Sequence, residues 1–399
     1  MIAVFLLPLY TLVGIYLVRW LILWLGACNS RFNDKRIRGL VIVLYVFFAS
    51  AVGVGFLLPA GELQRFFKVL GSYWLGVKCY AAMIVMIADI ISIILKRIKV
   101  INQEKLRAKK TFAIAGGFCM VFITAFCLWG AINAKIIHTT PYEITIDKSG
   151  GELKELNLVL VADLHLGYSM GCGQMERMVE KINARNPDLV VIAGDIFDNE
   201  YEALDDPTRL IEILKGIKSK YGVYACYGNH DIDEKILAGF TFSAKGKKKV
   251  SDPRMDEFLE AADIRLFMDE GVLIADSFYL YGRPDYERPG REITVRKTPK
   301  ELTADMDQTH PIIVMDHEPR ELQELSDAGV DLDLCGHTHD GQTFPGNLST
   351  QFVWENSYGY LKKGSMHNIV TSGIGVFAPG MRVGTIAEIC PIKIYFTVK

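Results

Sequence analysis

Five short stretches of this 399-residue chain carry metal-ligand residue types: Asp163-Leu164-His165, Gly194-Asp195, Gly228-Asn229-His230-Asp231, His317 and Gly336-His337-Thr338-His339. Each follows an apolar run, and five of the 8 histidines fall within them. Asp163 and His165 are two residues apart, as are His337 and His339. On an extended strand that spacing turns both side chains to one face. A carboxylate such as Asp195 offers two oxygens and can bridge two cations. Gly194 before it lets the backbone turn tightly and a ligand come close. Asn229 adds a neutral amide oxygen, and His230 beside it is left to face substrate. Carboxylate, imidazole and amide donors suit Mn, Fe or Zn rather than a calcium cage. Two such ions about 3.5–4 Å apart would hold a hydroxide for in-line attack on phosphorus and neutralise charge shifting onto the phosphoryl oxygens.

The elements that must position these residues are strands alternating with helices. Apolar, β-rich runs at Leu156–Ala162, Asp188–Ala193, Gly222–Cys226, Pro311–Met315 and Leu332–Cys335 each lead into one of the stretches. Helical spacing lies between them at Gly171–Arg185, Ala203–Lys218 and Glu321–Ala328. Buried strands alternating with helices predict an α/β domain. Ligands in such sheets gather at the carboxyl ends of strands. Cys226 and Cys335 sit inside predicted strands as small hydrophobes. With no Cys-x-x-Cys spacing, the 8 cysteines form neither a disulfide framework nor a zinc motif. Cys172 reads as a flexible loop thiol.

The composition is divided. Hydrophobic residues make up 50% of the chain and the mean hydropathy is +0.20, an apolar excess concentrated in residues 1–135. Four runs there, about 2–27, 39–59, 74–95 and 111–132, are long enough to span a hydrocarbon core of about 20 helical residues. The first lacks a basic leader and a small-residue cleavage site, so it reads as retained rather than as a signal peptide. Arg31, Lys35, Arg36 and Arg38 follow span one, and Lys96, Arg97, Lys99, Lys105, Arg107, Lys109 and Lys110 follow span three. The positive-inside rule places both basic loops in the cytoplasm, and the termini with the later domain (142–399) outside it. Asp89 and Arg19, within the spans, read as helix–helix partners or snorkelling groups. The four helices read as an anchor in the bilayer. A net charge of −2 gives no basic excess for a nucleic-acid partner.

Taken in order, the stretches resemble the calcineurin-like metallophosphoesterase superfamily, whose motifs run D-x-H, G-D-x-x-D, G-N-H-D/E, H and G-H-x-H. The segments Gly336–Gln342, Thr371–Gly375 and Arg382–Glu388 are similar to its YkuE-type membrane-associated branch. Four preceding spans are similar to the transmembrane metallophosphoesterases. The resemblance implies a four-layer domain of β-sheets flanked by helices over residues 142–399, with two divalent ions as cofactors. It implies that Asp163, His165, Asp195 and His339 hold one ion, and Asp195, Asn229, His317 and His337 the other. His230 would contact the phosphate and protonate the leaving group, Asp231 would orient it, and Asp198 would act behind the ligands. Asp316, unusual before His317, would tune the second ion.

These readings predict an integral-membrane metallophosphoesterase, a hydrolase of ester bonds with a phosphodiester favoured. Its substrate would be a phosphate ester, lipid or cell-envelope linked. A phosphomonoesterase and a metal-bearing scaffold without turnover are the alternatives. Two further features stay outside the catalytic set. Lys245, Lys247, Lys248 and Lys249 form a basic loop patch. Arg283 and Arg382 read either as phosphate clamps or as structural ion pairs.

Overall fold

The structure, a computed structural model, describes residues 2–98, 102–237, 240–242, 250–291 and 293–397. The basic patch at Lys245–Lys249 lies outside the described residues. Two compact units emerge: one of residues up to Ile132 with short segments at 236–242 and 378–381, and one of the remainder from Asn133.

The first unit is helical, with α1 (Ile2–Cys28), α2 (Lys35–Leu57), α3 (Glu62–Leu95), the short α4 (Gln103–Arg107) and α5 (Lys109–Asn133). The four long helices are each long and apolar enough to cross a membrane. The third begins at Glu62 rather than Trp74, because Glu62-Leu63-Gln64-Arg65 are good helix formers that hydropathy alone passes over. Backbones of α2 and α3 touch at Gly71, where a Cβ would lie 2.9 Å from the Val52 nitrogen, the close approach small residues allow between apolar helices. Asp89 accepts from the Tyr16 hydroxyl at 2.7 Å, a helix–helix pair. A second polar tie was not read from the sequence: buried Lys78 donates to the Tyr10 carbonyl at 2.6 Å.

The second unit is built on two sheets. The first has seven strands: β1 (Ile137–Thr139), β2 (Tyr142–Ile146), β3 (Glu155–Val161), β4 (Leu189–Ala193), β5 (Val223–Cys226), β8 (Ile264–Leu266) and β15 (Ala387–Phe396). Its order is β1-β15-β3-β4-β5-β8, with β2 also pairing β15, and β3, β4 and β5 run parallel. After β5 the chain forms a two-stranded ribbon, β6 (Lys235–Leu237) and β7 (Phe240–Phe242), whose residues from Ile236 on belong to the first unit. The second sheet has six strands: β9 (Glu270–Ile274), β10 (Phe278–Gly282), β11 (Ile312–Met315), β12 (Leu332–Cys335), β13 (Gly359–Lys363) and β14 (Met366–Val370). Its order is β13-β14-β12-β11-β10-β9.

The central strands are apolar along their whole length, as in Leu189–Ala193, because both faces are covered. Leu158, Leu160, Val191, Ile313, Leu334 and Ile369 pack the core between the sheets. Three helices, α6 (Cys172–Asn183), α7 (Pro207–Lys215) and α8 (Pro253–Ala261), cover the outer face of the first sheet through Met175, Leu210 and Phe258. The outer face of the second is covered by α9 (Pro299–Leu302) and α10 (Leu322–Asp327), through Leu302 and Leu325. The result is a four-layer α/β/β/α arrangement. Local chemistry sets the helix starts. Asp206 accepts from the Arg209 N–H ahead of Pro207 in α7, and Thr298 with Glu301 forms a capping box on α9. Cys172 is the buried first residue of α6 and not a loop thiol, because the helix begins directly after Gly171.

Candidate metal centre

All five stretches meet where β3, β4, β5, β11 and β12 end. Side-chain donors converge in two clusters, Asp163 with His165 and His339, and Asp195 with His317 and His337, and a third group, His165 with Asp198 and His230, shares His165 with the first. In the first, the Nε2 atoms of His165 and His339 face one another at 3.0 Å, and Asp163 Oδ1 lies 3.7 Å from His339 Nε2. In the second, His317 Nε2 is 3.2 Å from both Asp195 Oδ2 and His337 Nδ1. Asn229 Oδ1 joins it, 2.8 Å from His337 Nδ1 and 3.2 Å from His317 Nε2. Asp195 Oδ2 also reaches to 3.7 Å from His165 Nε2.

The backbone, not strand alternation, aims the ligands. Asp163 and His165 lie past the end of β3, with φ of 53° and 46°, and Asp195, His337 and His339 follow at 50°, 69° and 51°. The two-residue spacing therefore works through left-handed turns, a correction to the extended geometry expected from the sequence. Each such non-glycine residue costs on the order of 1–3 kcal/mol and persists only where its surroundings over-determine it. Here hydrogen bonds do so: the Asp163 N–H donates to the Gly194 carbonyl and the His165 N–H to the Asp195 carbonyl, both at 3.0 Å. Gly194 itself has φ 79°, and a Cβ there would collide with the His317 ring.

Outer contacts fix the donor atoms. His317 Nδ1 lies 2.9 Å from the Ala193 carbonyl, which places the proton on Nδ1 and leaves Nε2 a lone pair toward the cluster. Asp195 Oδ1 accepts the His230 N–H at 2.7 Å, so Oδ2 is the free oxygen. The His337 N–H bonds both oxygens of Asp163, at 3.0 and 3.1 Å. Burial, followed by the charge of His317, pushes His337 down to about 3, and burial with His165 and Arg382 holds His339 well below the usual range. Burial opposes ionisation of Asp195, but His317, His230 and His165 outweigh it and keep the carboxyl well below its ordinary value. Burial lowers His317 and His165, but Asp195 at the first and Asp198 with Asp195 at the second outweigh it and raise both, while burial pushes Asp163 up to about 6; a divalent ion would take the place of the protons these groups share. Two imidazole nitrogens 3.0 Å apart beside the Asp163 carboxylate are the donor types a divalent ion takes.

His230 stands beside these clusters. Its Nδ1 donates to Asn199 Oδ1 at 2.6 Å, and Asp198 Oδ1 lies 3.8 Å from the same nitrogen and 3.6 Å from His165 Nδ1. Asp231 does not touch the imidazole. Its buried carboxylate accepts from the N–H groups of Phe197 and Gly228, both at 2.7 Å, so it braces the loop instead of orienting His230. Asp316 is likewise not at the ions' side: it takes Arg283 and Arg296, both at 2.8 Å, in a buried network with Glu321. Arg283 is thus structural. Arg382 is fully buried, donates to the carbonyls of Ser372, Gly375 and Ile386 and lies 3.3 Å from Nδ1 of His339, so it braces a ligand histidine and is not a phosphate clamp.

Sequence reasoning missed Asn199, Phe377 and Trp354. The Phe377 ring centroid lies 5.2 Å from His339, 5.8 Å from His165 and 6.0 Å from His230. Trp354 packs edge-on against His337 at 5.2 Å. Asn199 directly follows the Gly194–Asp198 stretch and was within its reach. The two aromatics sit in loops with no spacing to mark them.

Residues 156–341 match the family described as calcineurin-like phosphoesterase. A transmembrane protein with metallophosphoesterase domain from Danio rerio is 30% identical over 68% of this chain and 61% of its own length, so the chain spans less than two thirds of that relative. The uncharacterized metallophosphoesterase YkuE of Bacillus subtilis is 26% identical over 61% of this chain and 81% of that protein. A Chlamydia trachomatis protein named UDP-2,3-diacylglucosamine pyrophosphatase LpxG is 22% identical over 53% of this chain and 71% of its own.

Proposed function

From the match of residues 156–341 to the calcineurin-like phosphoesterase family we propose that this membrane protein is a metal-dependent phosphodiesterase whose catalytic unit lies outside the cytoplasm. One divalent ion is held by Asp163, His165, Asp195 and His339, and a second by Asp195, Asn229, His317 and His337. The observation that carries the reading is the position of Asp195, whose Oδ2 lies within 3.7 Å of His165 Nε2 and 3.2 Å of His317 Nε2. One carboxylate oxygen can serve both clusters.

Ions at these positions supply Lewis acidity to the phosphoryl oxygens and raise the acidity of water. The chain's own residues do the rest. Asn199 accepts from Nδ1–H of His230 and leaves Nε2 toward the substrate; burial lowers this ring, so Nε2 takes up a proton as the anionic phosphate docks beside it and then gives that proton to the departing ester oxygen. The His230 N–H holds Asp195 in place from behind, so one residue links ligand position to proton delivery. Phe377 covers three imidazoles with an apolar ring and keeps bulk water from them.

The four apolar helices keep the unit at a bilayer, and the name of the Chlamydia relative supports a substrate whose phosphate is linked to a lipid. Basic residues after α1 and α3 support the assigned side. Purified full-length protein with Mn²⁺ should hydrolyse bis(p-nitrophenyl) phosphate faster than the corresponding monoester. The reverse preference would make it a monoesterase, and metal-loaded protein inert toward both would make it a binding module.

A further inference from the structure

The helical unit holds a cavity of about 720 Å³ that the catalytic reading does not use. It is lined mainly by α3 and α5, with Trp20 of α1 and the end of α4 completing it. Its walls are apolar, with Ile87 and Ile91 from α3 and Phe118 and Phe122 from α5. Its rim is basic. Lys96 follows the last residue of α3, Arg107 ends α4 and Lys109 opens α5, and all three line the cavity. Among the described residues none of these three side chains has an ion-pair or hydrogen-bond partner. Asp89 is the one carboxylate in the lining, and it is engaged by the Tyr16 hydroxyl. It stands about two helical turns from Lys96, so it repels an anion from the depth and leaves the rim as the place for negative charge.

An apolar chamber with three uncompensated cations at its helix-end rim fits an amphiphile with a negative head. The volume falls within the roughly 300–1,000 Å³ of small-molecule sites, and basic pockets between membrane helices recognise acidic headgroups. We propose that this cavity binds one anionic phospholipid, with its acyl chain along Phe118 and Phe122 and its phosphate between Lys96, Arg107 and Lys109. A zwitterionic lipid brings its own cation to the same rim and is disfavoured. Lipid that merely surrounds the helices has no reason to distinguish these cations from Arg97, Lys105 and Lys110, which belong to the same segment but do not line the cavity.

The test is native mass spectrometry of the full chain taken from micelles containing phosphatidylglycerol and phosphatidylcholine. The wild type should retain one phosphatidylglycerol. The triple variant Lys96→Gln/Arg107→Gln/Lys109→Gln should bind it roughly a hundredfold more weakly, from about 1 kcal/mol per basic residue. Arg97→Gln/Lys105→Gln/Lys110→Gln removes equal charge and should keep the lipid. Ala115→Trp, which fills the cavity without touching its charge, should expel it. Equal retention by the rim variant, equal loss in the charge-matched variant, or displacement by inorganic phosphate alone would each overturn the assignment.

Discussion

The carboxamide of Asn199 lies 2.6 Å from Nδ1 of His230, while the neighbouring Asp231 makes no contact with that ring. Orientation of the proton-delivering imidazole therefore comes from the loop after β4. Asn199→Ala should lower turnover roughly 10–100-fold, the usual effect of removing such a supporting partner. Substrate KM and metal content should change little. His230→Ala should cost more, about 10²–10⁴-fold, and also keep its metal. Steady-state kinetics beside metal analysis separate the two, and an Asn199→Ala enzyme with unchanged kcat would remove Asn199 from the account.

Asp231 acts on stability. Its two oxygens satisfy the buried N–H groups of Phe197 and Gly228. Asp231→Ala leaves both without an acceptor, at about 1–3 kcal/mol each. Thermal unfolding of the purified protein should show a lowered Tm, with Asp231→Asn, which keeps one acceptor oxygen, in between.

Much of this was legible before the structure. Leu189–Ala193 reads as a strand buried on both faces and as the approach to Gly194-Asp195. The ligand residues stand out because imidazole, amide and carboxylate end apolar runs. Other features leave no local trace. The left-handed backbone at Asp163 and His165 is a tertiary outcome, imposed by hydrogen bonds to Gly194 and Asp195. The insertion of β15 beside β3 pairs Cys390 with Leu160, a register no sequence periodicity encodes. Phe377 reaches three histidines from a loop, where hydrophobic spacing carries no signal. Lys78 hides within an apolar helix because its partner is a carbonyl, not a charged residue that a sequence scan would pair with it.

The network of Arg283, Arg296, Asp316 and Glu321 should behave as a buried, interdependent set. Asp316→Ala leaves two buried guanidinium groups with Glu321 as their remaining carboxylate among the described residues, beside the carbonyls of Lys297 and Pro284. Removing one partner of a buried pair costs about 3–5 kcal/mol, so a large fall in Tm is expected. Retained stability would show that water enters and solvates both arginines.

Gly194→Ala adds a single methyl group against the His317 ring at a positive φ. The ring must shift and the second cluster lose its geometry. Metal retained on dialysis should fall while far-UV circular dichroism stays as in the wild type. Full metal occupancy in this variant would contradict the placement of His317.

Sidedness has its own test. An alkaline phosphatase fusion after Lys399, active only outside the cytoplasm, should be active, and a green fluorescent protein fusion should be dark. The opposite pair of results would put the metal clusters in the cytoplasm.

The central claim is that one carboxylate, Asp195, serves two cations that carry out phosphoester hydrolysis. Metal content of purified wild-type and Asp195→Asn protein, measured beside bis(p-nitrophenyl) phosphate hydrolysis on the same samples, tests it most directly. The account predicts two divalent ions per wild-type chain with turnover, and loss of both bound metal and activity in Asp195→Asn. Wild-type levels of metal and turnover in Asp195→Asn would contradict it.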